Sequence, residues 1–286
     1  MANVVITGSN SGFGRLTAET LAKGGHSVYA TMREAGGRNA AAAKELQALA
    51  GGKVQVVELD VTSDASVQKA IDAIAAKTGG AIDVVFNNAG RFSMGIQEAF
   101  KVEEVQALFE TNVFGPMRVN RAVLPHLRKR RQGLLVYTSS VAGRFSVPCM
   151  GTYSASKYAL EALADAQRDE LASLGIDVVL IEPGAFPTEV GMKALYANDN
   201  DRAGGYGEAA TIPQKMGEGL GQLFSSPTAP NPQDVADAVK KLIDTPAGKR
   251  PNRVVVDNIS GDPVRALNAV YDKHRHDIMV AFGMAS

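Results

Sequence analysis

A single cysteine, Cys149, stands in a chain of 286 residues. An internal disulfide is therefore impossible, and a zinc site built from several thiolates is excluded. Net charge is absent too, since 30 Lys and Arg balance 30 Asp and Glu. No excess of either sign steers the chain to nucleic acid or to an anionic membrane. Apolar runs all fall short of the ~18 residues that a membrane span needs. The start, Met1-Ala-Asn-Val-Val-Ile-Thr-Gly, has no cationic segment ahead of a long apolar stretch. A signal peptide is not expected, and a cytoplasmic location is. The closest histidine pair, His274 and His276, stands at i, i+2 and shares no helix face, so no metal site is expected.

What is present is ordinary globular composition, 45% hydrophobic and 21% charged, enough for a sizeable core. Val4 to Ile6 reads as a strand, Thr7 to Gly14 as a glycine turn, and Leu16 to Leu21 as helix. Glycines at such a turn let a bulky ligand approach the main chain. The helix behind it offers free N–H groups and a positive dipole end to a phosphate. The spacing is neither G-x-G-x-x-G nor a Walker A loop. A second strand, Ser27 to Thr31, ends at Met32-Arg33 without the acid that would hold the ribose hydroxyls of NAD. Arg33 there can pair with a 2′-phosphate instead, which favours NADP(H).

Further strands follow at Val54–Leu59, Ile82–Phe86, Leu134–Tyr137, Ile176–Ile181 and Arg253–Val256. Helical patterns separate them: about Arg38–Leu49, one opening after Thr62 or Ser63, a long one over about 102–127 holding Asn112, and one carrying Tyr153 and running to Gly175. Six alternations of strand and helix predict an α/β fold, a doubly wound, seven-stranded parallel sheet with helices on both faces. Residues 191–233 hold eleven Gly or Pro and no strong apolar period, so a long loop over the substrate is expected there. No linker divides the chain, so 1–286 reads as one domain. A helix is expected in the tail from Asp262 to Met284.

Ligands of such sheets sit beyond the carboxyl ends of the strands. The sequence puts Gly8–Gly14, Arg33, Asp60-Val61, Asn88-Ala89-Gly90, Ser140, Pro183-Gly184 and Thr188 there. Tyr153 and Lys157 follow Ser140 at i, i+4 on one helix face. An ammonium beside a phenol favours the phenolate, so the Tyr153 pKa is expected below its reference of about 10. Ser154-x-x-Lys157 also fits a serine hydrolase pattern, but that chemistry needs S-D-N and K-T-G together, and S-D-N is missing, as is any G-x-S-x-G elbow.

The motifs Thr7-Gly-x-x-x-Gly-x-Gly14, Asn87-Asn-Ala-Gly90, Asn112, Ser140, Tyr153-x-x-x-Lys157 and Pro183-Gly-x-x-x-Thr188 stand in order along the chain. Each alone is weak; together they are specific. The chain resembles the short-chain dehydrogenase/reductase family over roughly residues 3–190 and the last strand, and the Thr31-Met-Arg33 end resembles its NADP-preferring branch of hydroxysteroid and carbonyl reductases. Ser11 stands where many NADP-preferring relatives carry a basic residue, and Phe13 replaces a more usual aliphatic one.

The resemblance implies a single Rossmann-type domain that interconverts a ketone or aldehyde and an alcohol with NADP(H). It makes Tyr153 the general acid and base, with Lys157 lowering its pKa and holding the nicotinamide ribose. Ser140 orients the substrate oxygen, Asn112 holds a relay water, and Thr188 fixes the carboxamide. It makes Gly8, Ser11, Gly12, Phe13, Gly14, Arg33, Asp60, Val61, Asn88, Ala89, Gly90, Pro183, Gly184 and Thr188 cofactor contacts, beside Tyr153 and Lys157. A homodimer or homotetramer is implied as well. The apolar residues expected around the site, Phe92, Met94, Ala142, Val147, Met150 and Phe186 among them, suit a bulky hydrophobic carbonyl or alcohol. A non-catalytic NADP(H) sensor on the same fold is the alternative; such proteins tend to lose the tyrosine or lysine, and both are present.

Overall fold

Strands buried on both faces of a sheet read as unbroken apolar runs, and Val4-Val5-Ile6 is one, fully inaccessible to solvent. In the computed structural model, which describes residues 1–191 and 193–284, that run forms β1 (Asn3–Thr7). It leads into α1 (Gly12–Lys23), β2 (Ser27–Met32), α2 (Ala40–Ala48), β3 (Val54–Glu58), α3 (Asp64–Thr78) and β4 (Val84–Asn87). Then come β5 (Ser93–Met94), α4 (Val102–Phe109), α5 (Gly115–Arg130), β6 (Gly133–Thr138), α6 (Gly151–Ala172) and β7 (Ile176–Pro183). The chain closes with β8 (Leu195–Tyr196), α7 (Asn200–Gly204), α8 (Ile212–Phe224), α9 (Gln233–Asp244), β9 (Arg253–Val256) and α10 (Gly261–Ala281).

Seven strands make one sheet in the order β3-β2-β1-β4-β6-β7-β9, every pair parallel. Alternate strand residues feed two cores. Val5 packs with Ile71 and Ile74 of α3, Val119 and Val123 of α5, and Leu160 and Ala164 of α6. Val4 and Ile6 pack on the other face with Leu21 of α1, Leu46 of α2, and Val235 and Val239 of α9. The doubly wound α/β sheet expected from the alternation is the observed fold.

Two stretches differ from expectation. The helix over 102–127 is not α-helical throughout: Glu110–Phe114, which includes Asn112, forms a π turn between α4 and α5. Such turns recur at functional sites. The segment 191–233 is not an irregular loop. It holds α7 and α8, and its β8 pairs with β5 at Ser93↔Leu195 and Met94↔Tyr196; residue 192 lies outside the described residues. Glycines scattered through α8 dilute its hydropathy, but Ile212, Met216, Leu220 and Phe224 recur every four residues and are all half-buried. One helix face therefore exists where the sequence showed no strong period.

Candidate active site

The strand order reverses between β1 and β4, where a doubly wound sheet opens a crevice at its carboxyl edge. Gly8 turns the chain there in the left-handed region, φ +68°. A Cβ on it would lie 2.9 Å from the Ala89 main chain. The two strand ends are stapled together. Thr7 Oγ1 accepts from the N–H groups of Asn88 and Ala89, both at 3.0 Å. Asn88 Nδ2 donates back to the carbonyls of Thr7 at 2.9 Å and Gly8 at 3.1 Å. Gly14 packs so tightly that a Cβ would sit 2.5 Å from both Asn88 Nδ2 and Gly8 O. The Ser11 side chain makes no cap on α1, so the first N–H groups of that helix are not satisfied by it. Phe13 sets its ring edge-on to Phe186, centroids 5.4 Å apart, which fixes the wall of the turn.

Arg33 leaves β2 with a half-exposed side chain, its guanidinium 4.0 Å from Asp60. Asp60 Oδ1 accepts from Thr62 N at 2.9 Å and from its hydroxyl at 2.8 Å. Val61 is buried beside it. Asn10, Arg38 and Asn39 line the same end of the cleft. Asn39 donates to Arg33 O at 2.7 Å, and Asn10 donates to Asn39 at 3.3 Å. Sequence reading missed these three, because their surroundings look like solvated loop.

At the other end, β6 delivers Ser140 in extended backbone, and Ser140 Oγ accepts from Ala142 N at 3.1 Å and donates to Pro183 O at 3.4 Å. Tyr153 projects from the first turn of α6, its ring edge-on to Phe92 at 4.9 Å. Lys157, buried one turn on, places Nζ 5.7 Å from the centre of that ring and donates to Thr138 O at 2.8 Å. A Cβ on Gly90 would meet Lys157 Nζ at 3.7 Å and Asn112 Oδ1 at 3.5 Å, so Gly90, Asn112 and Lys157 close on one point. Gly184 must lack a side chain, since a Cβ would lie 2.4 Å from the Asp257 carboxyl carbon. Thr188 faces Gly12 across the cleft, 3.7 Å from where a Cβ would stand.

The pKa expectation for Tyr153 is corrected. Burial pushes the phenol up to about 12, and the Ser140 hydroxyl pulls only part of that back. Burial also draws Lys157 down to about 8, opposed by the charge of Glu161. Two buried groups one turn apart both lean toward their neutral forms, because desolvation is the largest influence on each. Asn112 spends its side chain on structure. Nδ2 donates to Arg91 O at 2.9 Å and Ser156 Oγ at 3.0 Å, while Oδ1 accepts from Arg91 N at 2.8 Å. A relay water at Asn112 has only the second Oδ1 lone pair or the main-chain carbonyl to meet.

The cleft measures about 1060 Å³ and reaches from Arg33 to α8. Beyond Tyr153 its walls are apolar: Phe92, Met94, Val141, Ala142, Phe145, Val147, Met150 and Phe186. Met216, Leu220 and Phe224 of α8 complete that half; their i, i+4, i+8 spacing was the signal that could have found them. The string Lys77-Thr78-Gly79, a K-T-G of the kind that hydrolase chemistry uses, ends α3 near the start of β4. That is the amino edge of the sheet, opposite Ser154 and the cleft.

Fold and crevice together define a doubly wound α/β protein whose strand ends converge on a Ser–Tyr–Lys cleft. The sequence profile described as short chain dehydrogenase matches residues 2–199, and the chain belongs to that oxidoreductase family, whose fold binds a nicotinamide cofactor. The chain is 39% identical over 185 residues to a 3-ketodihydrosphingosine reductase of Bacteroides thetaiotaomicron, covering 65% of this chain and 64% of that protein. It is 34% identical over 277 residues to human retinol dehydrogenase 8, covering 93% and 85%. A short-chain dehydrogenase structure from Streptomyces avermitilis superposes with a TM-score of 0.78 at 30% identity, over 99% of both chains. An alcohol dehydrogenase from Thermococcus sibiricus complexed with 5-hydroxy-NADP gives 0.72 at 25% identity, over 91% of this chain and 97% of that one. A family member from Burkholderia phymatum in complex with NAD gives 0.75 at 28% identity, over 92% of each.

Proposed function

We propose that this chain is an NADP(H)-dependent oxidoreductase that interconverts a bulky, apolar ketone or aldehyde and the corresponding alcohol. The observation that carries the reading is the convergence of Ser140, Tyr153 and Lys157 at the junction of a polar, glycine-lined half-cleft and an apolar one. The polar half fits a dinucleotide. Gly8 and Gly14 leave no space for side chains, and the N-terminus of α1 faces the turn without a side-chain cap or an acid in its first turn. Gly12, Ser11 and Phe13 with Asn88, Ala89 and Gly90 would border it, Asp60 and Val61 the adenine, and Pro183, Gly184 and Thr188 the nicotinamide. When bound, the nicotinamide gives or takes the hydride.

The chain's own residues handle the proton. Ser140 donates to the substrate oxygen and orients it. Tyr153 gives its proton to that oxygen in reduction and removes one in oxidation. Lys157 supplies positive charge that favours the phenolate, and Asn112 holds the Gly90–Arg91 main chain against α6. NADP(H) preference is supported by Arg33, with Arg38 at the same end of the cleft. The apolar half suits a large hydrophobic substrate, and two relatives are named for an alcohol, retinol, and a ketone, 3-ketodihydrosphingosine. Exposed Phe114 and Met117 on the α4–α5 stretch, with Tyr158 and Leu163 on α6, support a homodimer or homotetramer.

The test is NADPH consumption at 340 nm with a panel of bulky ketones. Turnover is expected, with higher kcat/KM for NADPH than for NADH and a ratio eroded in Arg33→Ala. Tyr153→Phe keeps the ring against Phe92 and should lower kcat by ~10²–10⁴-fold with little change in NADPH affinity. Tight NADPH binding without turnover on any ketone would favour the sensor instead. A solution mass near the 30.1 kDa of one chain would overturn the oligomer.

A further inference from the structure

Behind the cleft, α6 carries a carboxylate one turn beyond Lys157. Glu161 is 2% exposed, so water does not satisfy it. Its oxygens serve two ends of one short segment. Oε1 accepts from Ser139 Oγ at 2.6 Å, and Oε2 accepts from Arg144 Nη1 at 3.3 Å. Ser139 and Arg144 bracket Ser140 and the 3-10 turn Val141–Gly143. The fit allows no slack, since a Cβ on Gly143 would lie 2.6 Å from Glu161 Oε1 and 2.8 Å from Ser139 Oγ.

Glu161 is itself held from behind. Arg253 reaches Oε2 at 3.5 Å and also pairs with Glu182 at 3.2 Å, Asp165 at 2.6 Å and Asp272 at 2.8 Å. Packing alone does not call for such a group, because a buried ion pair is often no more stabilising than well-packed apolar residues. What a carboxylate adds is direction: two oxygens at fixed angles hold two donors in fixed places.

We propose that Glu161 is a positioning residue. It sets Ser140 against Tyr153 by gripping the Ser140 turn at both ends, through Ser139 and through Arg144. The inference rests on the reading of Ser140 and Tyr153 as the groups that meet the substrate oxygen.

Two variants separate the grips. Ser139→Ala removes one buried hydroxyl and nothing else. Glu161→Gln leaves an acceptor for Ser139 but turns an amide toward Arg144 and Arg253. With NADPH and a ketone from the panel, each should lower kcat by about 10- to 100-fold, as misplaced reacting groups do. Cofactor affinity, measured by fluorescence titration, should stay within about twofold of wild type in Ser139→Ala, because no contact to the glycine turn changes. The double variant should be no worse than the weaker single, since both act through one set of contacts. Wild-type kcat in Ser139→Ala would overturn the role, even where Glu161→Gln fails to fold. Losses that multiply in the double variant would overturn it too, as would cofactor affinity falling in step with kcat in Ser139→Ala. Ser140→Ala is the control. Full turnover there sinks the catalytic reading, whereas loss there with normal Ser139→Ala sinks only the role of Glu161.

Discussion

Replacing Lys157 by methionine should raise the pH-7 stability of the protein relative to its value at alkaline pH, while removing activity. Lys157 is 4% exposed, and among the described residues its ammonium has one hydrogen-bond acceptor, Thr138 O. Burial lowers its pKa from 10.5 to about 8. At roughly 1.4 kcal/mol per pKa unit, holding the charged form inside costs about 3 kcal/mol. At pH 7 folded and unfolded chains both carry the proton, and the full cost applies. As pH rises through 8 the folded lysine gives up its proton while the unfolded one keeps it to 10.5, so wild-type stability recovers across that window. Methionine fills the same space without charge and shows no such recovery. It forfeits the bond to Thr138 O, about 1.5–3 kcal/mol for a charged donor, so the net change at pH 7 is about 0–2 kcal/mol in favour of the variant.

The assay is thermal melting of both proteins at pH 7 and pH 9.5. Wild type should gain about 2 kcal/mol on the variant between the two, roughly 4 °C for a chain of this size. Comparing the pair cancels the other titrating groups. If Lys157 serves both the phenol and the nicotinamide ribose, as the proposed function requires, turnover and NADPH affinity should fall together in Lys157→Met. A difference in melting temperature that does not move with pH would refute the reasoning, as would a loss of more than about 3 kcal/mol at pH 7, the whole of the hydrogen bond.

Gly14→Ala should cost about 1–3 kcal/mol and weaken NADPH binding at least about tenfold, because its Cβ meets Gly8 O at 2.5 Å and must displace the turn. Melting and fluorescence titration check it; a variant with normal stability and affinity would show that the turn yields freely. Amide hydrogen exchange should be fast in α8, which has no fully buried residue, and should slow when NADPH and a ketone are both present. Exchange that stays fast throughout would mean that Met216, Leu220 and Phe224 do not close on a ligand.

The periodicities of the sequence determined the sheet. Val4–Ile6 and Ile176–Ile181 read as strands because a parallel sheet buries both faces, and unbroken apolar runs have few other homes. The glycine spacing at Gly8, Gly12 and Gly14 was legible because only glycine fits the turn, and Ser140, Tyr153 and Lys157 were legible as a resemblance. Packing decided the rest. Whether the Tyr153–Lys157 pair is charged depends on desolvation, which no spacing encodes, and burial raised the phenol where proximity alone said it should fall. The π turn at Asn112 follows from its bonds to Arg91 and Ser156, one of them 44 residues away. The face of α8 rests on one residue in four, diluted by glycines, and it took the cleft to show what that face is for. The grip of Glu161 on Ser139 joins residues 22 apart, and only the docking of α6 against β7 and the Val141–Gly143 turn brings that carboxylate to the serine's neighbour.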